Sequence, residues 1–202
     1  MSREGPHSIE EQTLQTVARI VTLLDAAGLR SALVGAAALA VHGYSRATED
    51  IDLGVATASL ADLRRCGDEI RAALNLDVTI AMPDADDPLG GVITVQGPDI
   101  RQIQVINFVN PIGVGDHPGR EAIARARDLT LAGTRASVVD LEHLVAMKLF
   151  AGGMKSRADV VELLAYNPEA DLAAIASVCS RYHLEAEWSA LVNEIEKRRA
   201  PR

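Results

Sequence analysis

The stretch Leu33-Val34-Gly35-Ala36, followed by Asp50-Ile51-Asp52-Leu53, decides the fold that this sequence predicts. Residues 31–35 form a short apolar run typical of a buried strand, and the alanine-rich residues 36–42 indicate a short helix. Residues 49–55 then alternate acidic and apolar side chains, as in a strand with one polar face. The order strand, tight turn, helix and strand predicts an α/β domain.

The second of these strands carries a pair of carboxylates. Asp50 and Asp52 are two residues apart, so their side chains are predicted to leave the same face of the strand, with their Cα atoms about 7 Å apart. Mutual repulsion of the two charges favours a bound cation, and hard oxygen ligands select Mg²⁺, which completes its coordination with water and substrate phosphates. The pair therefore indicates phosphoryl or nucleotidyl transfer, in which two ions about 3.5 to 4 Å apart would stabilise the attacking and leaving oxygens.

The turn at Gly35 complements the carboxylates. It lies fifteen residues before Asp50, where the predicted buried strand passes into the short helix and the first N–H groups of that helix have no intrahelical partner. Such a helix start attracts phosphate, and only small residues, here Gly35 and Ala36, let a triphosphate approach the backbone closely. The two motifs together predict one nucleotide-binding site.

These motifs resemble the signature of the DNA polymerase beta superfamily of nucleotidyltransferases, in which a hydrophobic residue and Gly precede two carboxylates that flank a hydrophobic residue. The link His42-Gly43-Tyr44-Ser45-Arg46-Ala47-Thr48 is similar to that of the AbiEii/MenT-like toxins and related bacterial nucleotidyltransferases. Residues 140–149 and 155–160 are similar to the downstream Lys and Arg/Asp motifs of that group. Matching segments run from Leu33 to about residue 164.

The resemblance implies a nucleotidyltransferase fold with a mixed sheet, flanking helices and a C-terminal helical region. The implied reaction moves an NMP from an NTP to a hydroxyl acceptor, which is tRNA, a protein or a small molecule, and the implied biological role is the toxin of a toxin–antitoxin pair with a cognate antitoxin as partner. The implied site has Asp50 and Asp52 as Mg²⁺ ligands, Gly35 and Ala36 at the nucleotide phosphates, Arg46 as a further phosphate contact and Lys148 near the triphosphate or the acceptor.

The sequence departs from the superfamily pattern at two positions. Ala36 stands where Gly or Ser is usual, which removes a hydroxyl but keeps room for phosphate. Gln104, in Ile103-Gln104-Val105, stands where a third carboxylate is expected. Because Gln neither accepts a proton nor adds negative charge for a second metal, general-base catalysis is expected to be weak, displaced to another residue or absent. The alternative function is therefore a catalytically degenerate domain that binds a nucleotide or a protein.

Each candidate residue also has a structural interpretation. Asp50 and Asp52 would alternate in the same way on the solvated face of a half-buried strand. Arg46 is equally suited to phosphate binding and to a salt bridge with an acid, and Lys148 is equally suited to a functional role and to snorkelling from an apolar helix face. His143 is expected on a helix surface.

The chain is predicted to divide into a nucleotidyltransferase-like core over residues 1–138 and a helical region over residues 139–202, with the cleft between them. In the helical region, Ser156 and Asp159 have the spacing of a capping box and predict a helix start, with Asp159 as part of the cap. Pro168 suits the start of the next helix.

Composition limits the class of partner. The 202 residues are 48% hydrophobic, 24% charged and 3% aromatic, and the formal net charge is -8. This balance is typical of a globular protein, whereas the negative charge and the scarcity of stacking rings disfavour a broad nucleic-acid-binding surface. Cys66 and Cys179 lack the spacing of a zinc site. With no signal-like apolar segment and no run long enough to span a bilayer, a cytoplasmic protein is expected.

Overall fold

The computed structural model describes residues 8–113 and 115–199, and for residues 196–199 the backbone alone. Its helices are α1 (Ile9–Ala26), α2 (Gly35–Val41), α3 (Leu60–Leu74), α4 (Pro118–Arg125), α5 (Leu141–Ala151), α6 (Gly153–Tyr166), α7 (Leu172–Arg181) and α8 (Glu185–Arg199). Its strands are β1 (Ser31–Leu33), β2 (Asp50–Val55), β3 (Asp77–Ala81), β4 (Val92–Gly97), β5 (Ile100–Asn107), β6 (Arg127–Leu131) and β7 (Thr134–Val138).

The strands in the described part of the chain form one mixed sheet in the order β3-β4-β5-β2-β1-β7-β6. β2 runs parallel to β5, and β1 runs parallel to β7. The other neighbours are antiparallel. The α/β class with a mixed sheet and flanking helices is thereby confirmed. The strand that carries the carboxylate pair lies in the centre of the sheet, with β5 and β1 as its neighbours.

One face of the sheet is covered by α1 and α3. Ser8 begins α1 by accepting a hydrogen bond from the backbone N–H of Glu11 at 3.2 Å, as a good N-cap does. The apolar side of α1 is buried without exposure at Val17, Ile20 and Leu24. These side chains pack with the apolar residues of β2, β5 and β4, so this face is the main core.

The opposite face is covered over only part of β2. A Cβ atom added to Gly54 would lie 2.6 Å from the ring of Phe108 and 2.7 Å from Ile123 of α4, so a helical layer closes directly over that end of the strand. Asp50 and Asp52 are four and two residues before Gly54, so their side chains leave this same face of β2. Both are only half-buried. The helical layer therefore leaves the acidic half of β2 accessible.

Three sequence predictions in the helical region are wrong. α6 begins after Gly152, which has a φ of +67°, and Ser156 and Asp159 lie inside the helix, so Asp159 is not a cap. Pro168 lies in the turn before α7, which Asp171 caps through the N–H groups of its first turn. His143 is 2% exposed, because its ring packs inward and its Nδ1 lies 2.6 Å from the Asp140 carboxylate.

Cys66 and Cys179 are buried free thiols. Burial raises the pKa of both thiols, that of Cys179 to about 11. Across residues 8–113 and 115–199, no helix combines the length and apolar character needed to cross a membrane.

Candidate active site

The acidic end of β2 is held by local hydrogen bonds. The hydroxyl of Thr48 donates to Asp50 Oδ1 at 2.6 Å and lies 3.1 Å from the backbone oxygen of the same residue. The backbone oxygen of Asp52 accepts from the N–H of Val34 at 3.0 Å. The end of β1 and the link before β2 therefore fix the two carboxylates, which share one face of the strand.

Gly35 lies directly against Asp52. Its φ is +57°, and a Cβ atom at this position would lie 2.0 Å from Asp52 Oδ2. Only glycine combines this backbone conformation with so close an approach. α2 begins at this residue, and its N-cap, Val34, makes no side-chain hydrogen bond to the helix. The helix start and the carboxylate pair thus belong to one site, next to the buried Ala36.

A buried carboxylate anchors two cations beside this pair. Asp159 of α6 is 2% exposed. It accepts from Arg46 Nε at 2.8 Å and from a second guanidinium nitrogen at 3.1 Å, and it lies 2.7 Å from Lys148 Nζ. The Arg46 side chain is 19% exposed and that of Lys148 is 13% exposed. Residues from the link before β2, from α5 and from α6 therefore meet at one ionic cluster.

Burial and neighbouring charges shift the pKa values of two carboxyl groups at the site. Burial, followed by the charge of Asp50, raises the pKa of Asp52 to about 6, although Lys148, Arg46 and Lys155 act in the opposite direction. Burial alone would raise the pKa of Asp159, but its hydrogen bonds to Arg46 and Lys148 reverse this effect and lower it. Asp159 is therefore the ionised partner of the cations, whereas Asp52 carries an incompletely compensated charge.

Gln104 is the direct partner of Asp52 in the parallel β2–β5 ladder, and Gln102 is the partner of Asp50. Side chains of paired residues leave the same face of a sheet, so Gln104 stands beside the carboxylates on the neighbouring strand. The next strand contributes Thr94 opposite Gln104, and Gln96 donates to Gln102 at 2.6 Å. The strand beside the acidic pair thus contributes uncharged amides.

The donor set suits a magnesium ion that retains much of its solvent. Within the described residues, no group of three or more His, Cys, Asp or Glu side chains forms a complete metal cage. Two carboxylates beside a glycine turn nevertheless suit Mg²⁺, which is commonly bound by one or two protein carboxylates while water and substrate phosphates supply the remaining ligands. Burial and, second, the charge of Asp50 raise the pKa of Asp52, and a bound cation would offset both effects.

Three residues at this site have roles that were not predicted from the sequence. Thr48 orients Asp50, Lys155 acts electrostatically on Asp52, and Asp159 holds both cations. The signal for Asp159 was its position one helical turn before Leu163, on the apolar side of α6. A carboxylate inside an apolar helix stripe predicts a buried ion pair, because burying it without a partner is costly.

Solved structures of similar fold define the class. The chain is similar to the solution structure of the antibiotic-resistance factor ANT(2'')-Ia, with a TM-score of 0.53 and 13% identity, covering 92% of this chain and 98% of that chain. It is also similar to an antigenic nucleotidyltransferase-like protein from Paracoccidioides brasiliensis, with a TM-score of 0.52 and 15% identity, covering 94% and 95%. A crystal structure of ANT(2'')-Ia in complex with adenylyl-2''-tobramycin has a TM-score of 0.51 and 16% identity, covering 85% and 99%. The fold is therefore that of a nucleotidyltransferase.

The sequence gives the more specific assignment. Residues 20–201 match the family described as nucleotidyl transferase AbiEii toxin, type IV TA system. The chain belongs to this family, and the resemblance noted from its motifs is confirmed. No curated protein matches the sequence.

Proposed function

We propose that this protein transfers an NMP from an NTP to a hydroxyl acceptor in a metal-dependent reaction that releases pyrophosphate. The observation that carries the proposal is the contact between Gly35 and the carboxylate of Asp52, where a Cβ atom would come within 2.0 Å of Oδ2. This contact brings the start of α2, which is suited to phosphate, to the carboxylate pair, which is suited to a metal.

The backbone at Gly35 and Ala36 would receive the nucleotide phosphates, and Asp50 and Asp52 would hold Mg²⁺. When bound, Mg²⁺ neutralises phosphate charge and stabilises the attacking and leaving oxygens. Thr48 keeps Asp50 oriented by donating to its Oδ1. These groups place the α-phosphorus for in-line attack by the acceptor hydroxyl, so positioning supplies much of the catalysis.

Lys148 and Arg46 supply the positive charge of the site. Asp159 fixes both side chains, so they need little reorganisation when negative charge develops on the phosphates. We assign Lys148 to the triphosphate or the acceptor and Arg46 to phosphate, with Asp159 as their positioning residue. Gln104 accepts no proton, so the acceptor hydroxyl loses its proton to water or to one of the two carboxylates.

The acceptor is tRNA, a protein or a small molecule, and we propose that the protein acts as a toxin that a cognate antitoxin controls. Membership of the AbiEii family supports the toxin role. The structure of ANT(2'')-Ia with adenylyl-2''-tobramycin shows a relative of the fold with a nucleotidylated small molecule, which keeps that class of acceptor among those to test.

The test is incubation of the purified protein with each labelled NTP, Mg²⁺ and a cell extract, followed by separation of labelled RNA, protein and metabolites. We expect one labelled acceptor class that disappears with EDTA and with Asp52→Asn. Asp77→Asn is the matched control, because Asp77 is an exposed strand carboxylate at the edge of the same sheet. No label in any fraction with all four NTPs would contradict the proposal.

A second candidate function is a nucleotide-binding module without turnover, and Gln104 beside Asp52 is the observation that favours it. In this case Mg²⁺ and an NTP would raise the melting temperature of the wild-type protein, and Asp52→Asn would remove the shift, while no label would be transferred. The two outcomes separate binding from catalysis in one set of samples.

A further inference from the structure

A cavity of about 370 Å³ lies behind the candidate active site, between α1, α2 and the sheet. Ile51, which separates Asp50 from Asp52 in the strand, lines this cavity and therefore points away from the face of the carboxylates. We name the cavity the rear pocket. Its walls are mainly apolar, and its principal lining residues are Leu14, Val17, Leu33, Ala37, Ala40 and Ile51.

Two arginines, Arg46 and Arg101, are among the lining residues of the rear pocket. A terminal nitrogen of Arg46 donates to the backbone oxygen of Ala47 at 3.1 Å, and a terminal nitrogen of Arg101 donates to the backbone oxygen of Thr48, the next residue. Both arginines are therefore held by the link before β2, and both line the pocket. The arrangement favours an anion between or beside them.

Both arginines retain donors for such an anion. Arg101 also forms an ion pair with Glu10 at 3.0 Å, and Arg46 uses its remaining contacts on Asp159. A guanidinium has five N–H donors, so these contacts leave N–H groups on each arginine. Ser45 is on the same lining and adds a polar residue beside the apolar wall, whereas the hydroxyl of Thr13 is already engaged by the backbone of Ile9 and Arg101.

We propose that the rear pocket binds a small amphipathic anion, with its apolar body against α1, α2 and Ile51 and its anionic head at Arg46 and Arg101. The volume of about 370 Å³ falls in the range of small-molecule sites, about 300 to 1,000 Å³, and an apolar wall with a few polar groups is their usual chemistry. The rear pocket shares Arg46 with the candidate active site, but Arg101, Ile51 and the residues of α1 belong to the rear pocket alone. The carboxylates leave the opposite face of the sheet, so the proposal does not require nucleotidyl transfer.

The incomplete burial of apolar side chains around the pocket supports an occupant. Leu14 is 39% exposed and Val41 is 51% exposed, and both line it. An apolar chain in the pocket would remove this surface from water, which is favourable in proportion to the area covered. The neighbouring guanidinium groups select an acidic ligand over a neutral hydrocarbon, and octanoate is therefore a suitable probe.

The experiment is calorimetric titration of the full chain with octanoate and with octanamide, which has the same apolar body without the charge. We expect one equivalent of octanoate to bind, and octanamide to bind at least tenfold more weakly. Ala40→Leu narrows the pocket at an exposed helix position and is expected to weaken octanoate binding at least tenfold. Ala72→Leu, at an exposed position of α3 outside the rear pocket, is the matched control and should leave binding unchanged.

Arg101→Gln is an independent variant that tests the head group rather than the volume. It should weaken octanoate at least tenfold while the affinity for octanamide stays the same, and circular dichroism should show that each variant folds. The proposal is overturned by absence of octanoate binding to wild type, by equal binding of octanoate and octanamide, or by unchanged binding in folded Ala40→Leu. A wild-type dimer that Ala40→Leu dissociates would also overturn it, because a second copy of the chain would then fill the pocket.

Discussion

The Nζ atom of Lys148 lies 2.7 Å from Oδ2 of Asp159. The same carboxylate binds Arg46, so one buried acid positions a cation from α5 and a cation from the link before β2. The positive charges of Lys148 and Arg46 both lower the pKa of Asp52, against the larger effect of burial. Asp159, which holds these two cations, is far from β2 in sequence. The geometry of the candidate active site therefore depends on a residue of α6 with no assigned contact to the substrate.

Asp159→Asn should destabilise the protein by about 2 to 4 kcal/mol, somewhat below the usual cost of removing one partner from a fully buried ion pair, since Arg46 and Lys148 keep some contact with solvent. Any transfer activity should fall as well, because the two cations lose their common anchor. Denaturant unfolding and labelled NMP transfer measure the two effects. Glu162→Gln, on an exposed position of the same helix, is the control and should change neither quantity; equal effects of both variants would contradict the anchoring role.

Asp52→Asn should abolish Mg²⁺ binding and NMP transfer while the far-ultraviolet circular dichroism spectrum remains that of the wild type. The residue is half-buried at the open face of the sheet and contributes little apolar packing. Calorimetric titration with Mg²⁺ and an NTP measures the loss of affinity. Full retention of metal affinity and turnover would show that Asp52 is only a solvated strand residue.

Gly35→Ala should weaken Mg²⁺ binding at the candidate active site in addition to destabilising the backbone. A side chain at a φ of +57° is strained, and the new methyl group would displace the Asp52 carboxylate, from which it would otherwise be 2.0 Å away. Gly43→Ala is the matched control, because its φ of +89° imposes strain in open space. We expect a loss of about 1 to 3 kcal/mol in both variants and a loss of Mg²⁺ affinity in Gly35→Ala alone. Equal Mg²⁺ affinities in the two variants would argue against a shared phosphate and metal site.

Gln104→Asp should increase the Mg²⁺-dependent rise in melting temperature and raise any transfer rate. The substitution places a proton acceptor and a negative ligand directly opposite Asp52, and general-base catalysis typically contributes about 10²- to 10⁴-fold. Without Mg²⁺ the variant should be less stable than wild type, because a third carboxylate adds repulsion. If neither the melting shift nor the rate changes, Gln104 does not occupy the position of the third carboxylate.

The buried imidazole of His117 should make the free energy of unfolding fall as the pH is lowered. Its ring stacks on Phe108, meets Phe150 edge-on and accepts the N–H of Gly119 at 2.9 Å, and burial lowers the pKa of His117 to about 4. Between pH 6.5 and about 4 the unfolded chain binds more protons at this residue than the folded chain, so stability falls as pH falls, by at most about 1.4 kcal/mol per pH unit.

His117→Asn tests this pH dependence because Asn retains an N-cap for α4 but does not titrate. The variant should be less stable at pH 8, where it lacks the ring contacts, and the difference from wild type should shrink between pH 6.5 and 4. Urea unfolding at a series of pH values measures the two curves. Parallel curves would contradict the assignment of a buried neutral imidazole.

Much of the fold could be predicted because its signals are local. Ser8 caps α1, the apolar run at β1 passes into α2 at Gly35, and Asp50 and Asp52 alternate on β2, all within short windows of sequence. The predicted start of α6 at Ser156 was wrong. Two glycines of positive φ, Gly152 and Gly153, lie at the start of the helix, and no side chain caps it.

Long-range partners set the limit on predicting the site. Arg46 was equally suited to phosphate and to an acid, and the structure gives it Asp159, which is 113 residues away in sequence. Lys148 likewise has an ionic partner that no local spacing identifies, and the pairing of Gln104 with Asp52 is set by the register of two strands that are distant in sequence. The catalytic roles of these residues and the division of the chain after residue 138 stay predictions.

The ionic cluster at Asp159 also has a consequence for the order of synthesis. A ribosome makes the carboxylate pair and the glycine turn early, but α6 emerges only after Arg46, β2 and α5 have been translated. A nascent chain therefore contains Asp50 and Asp52 before it contains Asp159, the carboxylate that binds Arg46 and Lys148. Premature termination before α6 would release a product in which Arg46 and Lys148 lack this counter-ion, so activity is expected only from chains translated beyond that helix.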